Sequence, residues 1–192
     1  MRYAIAPFLS CFLLGAADVQ LSDDFAKYPE GATAAGGWET NAVSWQTRQG
    51  RFRCDWPGQS EALVRDPRMF RTATVEVTLI PRKSTGKEWK VAGLGLKVDA
   101  RNYWHLALVE SPQTNGSKHF VELSEMRGGQ WLSQNNLKST AANDNALAWT
   151  YDTPYRLRLT LNPKGIDGKV LDMQGKTLAH LAYAFTAPAV TE

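Results

Sequence analysis

The chain has 192 residues, enough for one domain with a sizeable core, and 43% of them are hydrophobic. Its 22 Lys and Arg residues nearly balance its 19 Asp and Glu residues, and the formal net charge is +3. A near-neutral chain without a basic run lacks the electrostatic footprint of a nucleic-acid-binding protein, so nucleic acid is not expected as a partner. Of the two cysteines, Cys11 lies in an N-terminal apolar run and Cys54 stands alone in the rest, which excludes an internal disulfide if that run is removed.

Residues 1–17 have the layout of a signal peptide. Arg2 supplies a positive charge, an almost wholly apolar run follows it, and Gly15-Ala16-Ala17 offers small residues at the cleavage positions. The run is too short to span a bilayer as a helix, so no transmembrane segment is expected. We predict cleavage after the last of these small residues and a secreted or periplasmic protein with a single domain at 18–192.

Alternation of apolar and polar residues marks the strands. Residues 72–80 read T-A-T-V-E-V-T-L-I, which predicts a half-buried strand because side chains of a strand point to alternate faces. The same reasoning predicts strands at 21–25, 45–49, 51–55, 61–65, 91–99, 102–110, 119–127, 130–132, 155–161, 166–172 and 176–185. Residues 26–42 and 133–149 are predicted as connections, the second with at most one helical turn. Many short strands without a long helix favour an all-β protein, a two-sheet antiparallel β-sandwich.

The same periodicity assigns the core of this sandwich. The residues expected inside are Val75, Val77, Leu94, Leu96, Leu106, Leu108, Val121, Leu123, Leu157 and Leu159.

Several segments together resemble the concanavalin A-like and laminin G-like jelly rolls of secreted bacterial proteins. They are D-D-F at 23–25, V-A-G-L-G-L-K-V-D at 91–99 with N-Y-W-H-L-A-L at 102–108, H-F-V-E-L-S-E-M at 119–126 with G-G-Q-W at 128–131, and Y-R-L-R-L-T-L at 155–161 leading to I-D-G-K-V-L-D-M-Q-G-K at 166–176. The resemblance implies a jelly-roll sandwich. Such folds close with one more strand after a Gly-rich turn, so either a final strand is missing here or further domains of a longer protein follow.

The resemblance also implies two kinds of site. Related folds often bind calcium near the first strand, and the adjacent carboxylates Asp23 and Asp24 are candidate ligands for a structural calcium ion, besides their alternative role in a turn. Related retaining glycosidases carry two glutamates around an aspartate, and the nearest match is E-L-S-E at 122–125. Glu122 and Glu125 are an odd number of residues apart, so they should point to opposite faces of the strand, and this catalytic site is not expected.

Outward-pointing polar residues form the candidate ligand site. Tyr103 and His105 alternate with apolar residues in one predicted strand, as Glu122 and Arg158 do in two others. If these strands share the concave sheet, the four side chains line a sugar-sized groove in which Arg158 suits an acidic sugar. A solvated sheet face is the alternative reading of each residue.

Seven tryptophans supply candidate platforms for sugar rings. Trp104 shares a face with leucines and is expected in the core, whereas Trp89 and Trp131 lie beside polar loops and are better exposed candidates. We therefore predict a non-catalytic carbohydrate-recognition module, with Trp131 added to its ligand-binding residues. Two alternatives stay open: a polysaccharide-degrading enzyme of the glycoside hydrolase or lyase type with an unrecognised active site, and a structural or interaction module of the cell envelope.

Overall fold

The computed structural model of the protein describes residues 21–33, 37–40, 44–56, 58–64, 70–132 and 138–186. The predicted signal peptide at 1–17 lies outside the described residues. The end of the chain at 187–192, where the predicted absence of a final strand would be tested, also lies outside them. Within the described ranges, no helix is long and apolar enough to cross a membrane.

The described residues form thirteen β-strands and one 3-10 turn at Gln113–Asn115, so the prediction of an all-β protein is confirmed. The strands are β1 Trp38–Thr40, β2 Trp45–Arg48, β3 Arg51–Cys54, β4 Ala62–Val64, β5 Ala73–Leu79, β6 Lys90–Asp99, β7 Asn102–Glu110, β8 His119–Arg127, β9 Gln130–Leu132, β10 Lys138–Asp144, β11 Tyr155–Asn162, β12 Gly165–Leu171 and β13 Thr177–Phe185.

The chain divides into two compact units, Met1–Arg65 and Asp66–Glu192. In the first unit β1 pairs with β4 and β2 pairs with β3, all antiparallel. The Phe25 ring packs on Phe52, with 5.3 Å between ring centroids, and Trp38 and Trp45 pack beside them. Two predictions are wrong here: residues 21–25 form no strand, and the predicted connection at 26–42 contains β1.

The second unit contains two antiparallel sheets that pack against each other. One has five strands in the order β10-β13-β12-β11-β5, and the other has four in the order β6-β7-β8-β9. Leucines from β7 and β8 meet leucines and valines from β11, β12 and β13 in one core. A Cβ atom at Gly168 of β12 would lie 3.0 Å from Leu106 Cδ1 and 3.5 Å from Leu123 Cδ2, so the missing side chain lets the sheets approach closely.

The core prediction is confirmed, since all ten assigned residues belong to this core or pack against it. The predicted bounds of β7, β8 and β9 agree with the structure. Besides β1, the prediction missed β10, which lies inside the predicted connection at 133–149 and pairs with β13.

Candidate functional site

The four-stranded sheet has one face on the core and one, the outer face, turned away from it. Trp104, Leu106 and Leu108 of β7 point to the core, so the alternate residues of that strand point outward. Strand pairing aligns the outward residues in four rows: Val91 with Val109 and Phe120; Gly93 with Ala107 and Glu122; Gly95 with His105 and Ser124; and Lys97 with Tyr103, Met126 and Trp131. Four of the five predicted ligand residues therefore share the outer face.

Aromatic rings gather at the Trp131 end of the outer face. The Trp131 side chain is 53% exposed and stands edge-on to the ring of Tyr103, with 5.6 Å between centroids. The ring of His105 lies 6.0 Å from that of Trp131. The ammonium of Lys97 lies 5.0 Å from the centroid of the Tyr103 ring, within reach of a cation–π interaction. This end combines an exposed apolar ring with polar groups.

His105 sits below these rings as a neutral side chain. Burial lowers the pKa of His105 from 6.5 to about 4, because the charged imidazolium would lose its water. Its Nδ1 atom is buried and has no hydrogen-bond partner in the described part of the chain. Because this atom is buried, it is closed to solvent, and the ring carries no positive charge at neutral pH.

The middle of the outer face carries small residues. A Cβ atom at Gly93 would lie 2.3 Å from the Leu106 carbonyl oxygen, so only glycine fits there, and Gly95 is similarly close to the backbone of β7. Ala107 follows in the neighbouring strand, and Ser124 donates a hydrogen bond of 2.9 Å to the Glu122 carboxylate. We call this stretch, made of Gly93, Gly95, Ala107 and Ser124, the floor.

A second aromatic pair lies at the opposite end. Trp89, which directly precedes β6, is 55% exposed and stands edge-on to Phe120, with 6.3 Å between centroids. Val91 is 54% exposed beside them, and Val109 below is buried. The floor thus lies between two aromatic ends, and both exposed tryptophans were predicted as such.

Arg158 does not join this site, and its assignment was wrong. It lies on β11 of the five-stranded sheet, where its side chain pairs with Glu76 of β5 at 2.6 Å. Alternation places it on an outward face, but on that of the other sheet. The prediction that Glu122 and Glu125 point to opposite faces of their strand is confirmed. Glu122 points outward, whereas Glu125 lies opposite Trp104 on the core side and is 4% exposed.

The two aspartates assigned to calcium have turn roles. Asp23 accepts hydrogen bonds from the Phe25 amide, the Tyr28 hydroxyl and the Trp38 indole, which use both carboxylate oxygens. Burial alone would raise the pKa of Asp23, but these hydrogen bonds lower it. Asp24 accepts from the amide of Ala26. Among the described residues, no group of three or more His, Cys, Asp or Glu side chains is arranged to hold a metal ion.

A polar cluster that sequence reasoning missed lies at one end of the sheet, on its core side. The Glu110 carboxylate is 5% exposed and receives hydrogen bonds from Lys90 Nζ at 2.5 Å, from His119 Nε2 at 2.9 Å and from the Tyr151 hydroxyl. Burial alone would raise the pKa of Glu110, but the three donors outweigh it and lower the pKa from 4.5 to about 2. Burial and the hydrogen bond to Glu110 raise the pKa of Tyr151 above its usual range.

This cluster fastens the segment after β10 to the sheet. The His119 ring stacks on Trp149 with 4.0 Å between centroids, and its Nδ1 lies 2.5 Å from the Trp149 carbonyl oxygen. The Trp149 indole donates to backbone carbonyl oxygens of both β7 and β8. Both carboxylate oxygens of Glu110 are occupied by protein donors, so the arrangement fits a structural network better than general acid–base catalysis.

The sequence did contain a signal for the cluster. Glu110 and His119 flank the turn at 111–118 and pair directly across the hairpin. Glu110 lies two residues after Leu108, and His119 lies two residues before Val121, so both point to the same side of their strands as these core residues. An acid and a base therefore meet on the apolar side of one hairpin.

Comparison of the chain with protein-family models, with curated proteins and with solved structures gave no match. Its function is therefore inferred from the residues of the outer face.

Proposed function

We propose that the protein is an exported, non-catalytic carbohydrate-recognition module that binds a neutral glycan on the outer face of the four-stranded sheet. The observation that carries the proposal is Trp131, an exposed ring standing beside Tyr103 and above the buried polar ring of His105. Sugar rings stack on flat aromatic faces, while nearby polar groups hydrogen-bond their hydroxyls. The resemblance to concanavalin A-like jelly rolls supports the same class of ligand.

The charges of the outer face favour a neutral glycan over an acidic one. His105 is neutral above about pH 4, so it supplies no positive charge, and Arg158, the residue that would have bound a carboxylate, lies in the other sheet. Glu122 brings a carboxylate to the floor, which repels an acidic sugar. Lys97 interacts with the ring of Tyr103 at one end. A neutral sugar avoids the repulsion, and its hydroxyls can donate a hydrogen bond to the Glu122 carboxylate and accept one from the Lys97 ammonium.

Two observations argue against the enzyme alternative. Glu122 and Glu125 point to opposite faces, so they cannot flank one glycosidic bond. The Glu110 carboxylate is buried on the core side, with both oxygens used by protein donors. Neither arrangement offers paired carboxylates to a ligand on the outer face.

Affinity electrophoresis in gels containing soluble neutral polysaccharides (a glucan, a xylan and a mannan) or an acidic one (alginate) tests the proposal. The protein should be retarded by a neutral polysaccharide, and Trp131→Ala should abolish the retardation without changing the melting temperature. Arg158→Ala is the control and should behave as the wild type. Retardation by alginate alone, by none of the four, or equally for Trp131→Ala would overturn the proposal, and release of reducing sugars would favour the enzyme.

Export is tested separately. The N-terminus of the exported protein should be Asp18, and an intact Met1 on that protein would overturn the export part of the proposal.

A further inference from the structure

We infer that one face of the β2–β3 hairpin, in the first unit of the chain, binds a phosphomonoester. Strand pairing places Gln46 opposite Arg53 and Arg48 opposite Arg51, so these four side chains share one face of the hairpin. Thr47 lies between two of them in the strand and is buried on the opposite face. All three arginines are exposed. We call the surface made of these four residues the arginine face.

The arginine face carries more positive charge than its own carboxylate balances. Arg48 and Arg51 lie directly opposite each other, where Cβ atoms are about 5 Å apart and like charges repel. Arg53 pairs with Asp55 at 2.7 Å, whereas Arg48 donates to the uncharged Gln46 amide at 3.0 Å. Among the described residues, no carboxylate forms an ion pair with either of the two opposed arginines. Three guanidinium groups and one carboxylate therefore leave a net charge of +2 on this face.

The backbone fixes the positions from which these charges project. Gln49 and Gly50 form the turn between the strands with φ of 53° and 66°, and positive φ at both residues is typical of a tight two-residue hairpin turn. The Gln49 amide donates to the Glu30 carboxylate at 2.9 Å. Thr47 hydrogen-bonds through both its amide and its carbonyl to the loop that precedes β1. The opposed arginines are thus held together before any ligand binds, which lowers the cost of ordering a site for an anion.

Charge and geometry favour a phosphomonoester over other anions. A phosphomonoester carries a charge of about −2 at neutral pH and three strong acceptor oxygens, which match the charge of the arginine face. Its oxygens also suit the planar donor forks of two neighbouring guanidinium groups. A carboxylate has one charge and two oxygens, so it would leave part of the face unbalanced. Nucleic acid needs a longer basic surface, whereas Arg51 and Arg53 span about 7 Å of strand.

Two probes present the same phosphate group in different settings and test the inference. Glycerol 3-phosphate is titrated into the protein by calorimetry at low ionic strength, with glucuronate as the carboxylate comparison. Flotation with phosphatidylcholine vesicles, with and without phosphatidic acid, tests the same group on a lipid. The double variant Arg48→Gln/Arg51→Gln should lose about tenfold or more of the affinity. Arg71→Gln/Arg82→Gln is the matched control, because it removes two exposed arginines of the second unit and should bind like the wild type.

Binding of either probe that the hairpin variant loses and the control variant keeps supports the inference. Binding of glycerol 3-phosphate indicates a soluble phosphate ester, and binding to the phosphatidic acid vesicles alone indicates a lipid headgroup. The inference is overturned if neither probe binds, if both variants lose affinity equally, or if glucuronate binds as tightly as glycerol 3-phosphate. The hairpin variant should melt no lower than the wild type, because it loses a contact between like charges. None of these results depends on glycan binding by the outer face.

Discussion

Replacing Glu110 with Gln removes a buried negative charge and keeps the shape of the side chain. The lowering of the Glu110 pKa from 4.5 to about 2 corresponds to about 3 kcal/mol of stability. Breaking a buried ion pair typically costs about 3–5 kcal/mol. The side chain of Lys90 remains 19% exposed, so water can solvate part of its charge in the variant, which favours the lower value. We expect the free energy of unfolding at pH 7 to fall by about 3 kcal/mol.

Urea unfolding monitored by tryptophan fluorescence measures this loss. Glu76→Gln is the control, because Glu76 also forms ion pairs, with Arg156 and Arg158, but its side chain is 34% exposed. Its loss should cost less than about 1 kcal/mol. The stability from charged Glu110 is complete above pH 4.5 and is lost as the pH falls towards 2, so the difference between wild type and Glu110→Gln should narrow over that window. Equal losses in both variants, or a difference that persists unchanged near pH 2, would refute the reasoning.

Three further predictions concern the core, the outer face and the first unit. Leu157→Ala should cost about 2–5 kcal/mol of unfolding free energy and the neighbouring Arg156→Ala much less, since Leu157 is fully buried; similar losses would contradict the assignment of faces. Because burial lowers the pKa of His105 to about 4, the NMR signals of its ring should not shift between pH 7 and pH 5. The free energy of unfolding should fall as the pH drops from 6.5 to 4, because His105 is then protonated in the unfolded chain but not in the folded one. An NMR titration midpoint near pH 6.5 would show that the ring is solvated. Millimolar calcium should leave the melting temperature unchanged, because the carboxylate oxygens of Asp23 already accept protein hydrogen bonds; a rise that Asp23→Asn abolishes would restore the calcium site.

Local alternation predicted which residues lie inside, but it could not predict which strands are neighbours. Arg158 shows the difference. Alternation with the leucines of its strand correctly predicted that it points outward, but β11 pairs with β5 and β12, which places Arg158 in the five-stranded sheet. Such pairing joins residues far apart in the sequence, and no local pattern encodes it. Strand β10 was missed because K-S-T-A-A-N-D has neither alternation nor high strand propensity; it lies at the sheet edge and forms by pairing with β13.

The glycine on β12 has a consequence for how the outer face responds to a ligand. With no side chain at Gly168, the backbone of β12 lies directly against the ends of Leu106 and Leu123. These leucines follow His105 and Glu122 in their strands, so the backbone that carries the two polar groups rests on the other sheet with no rotatable side chain of β12 between. A surface held in this way is preorganised and has little conformational entropy to lose on association. Differences in affinity among ligands should therefore reflect the contacts they make, with little contribution from reshaping of the sheet.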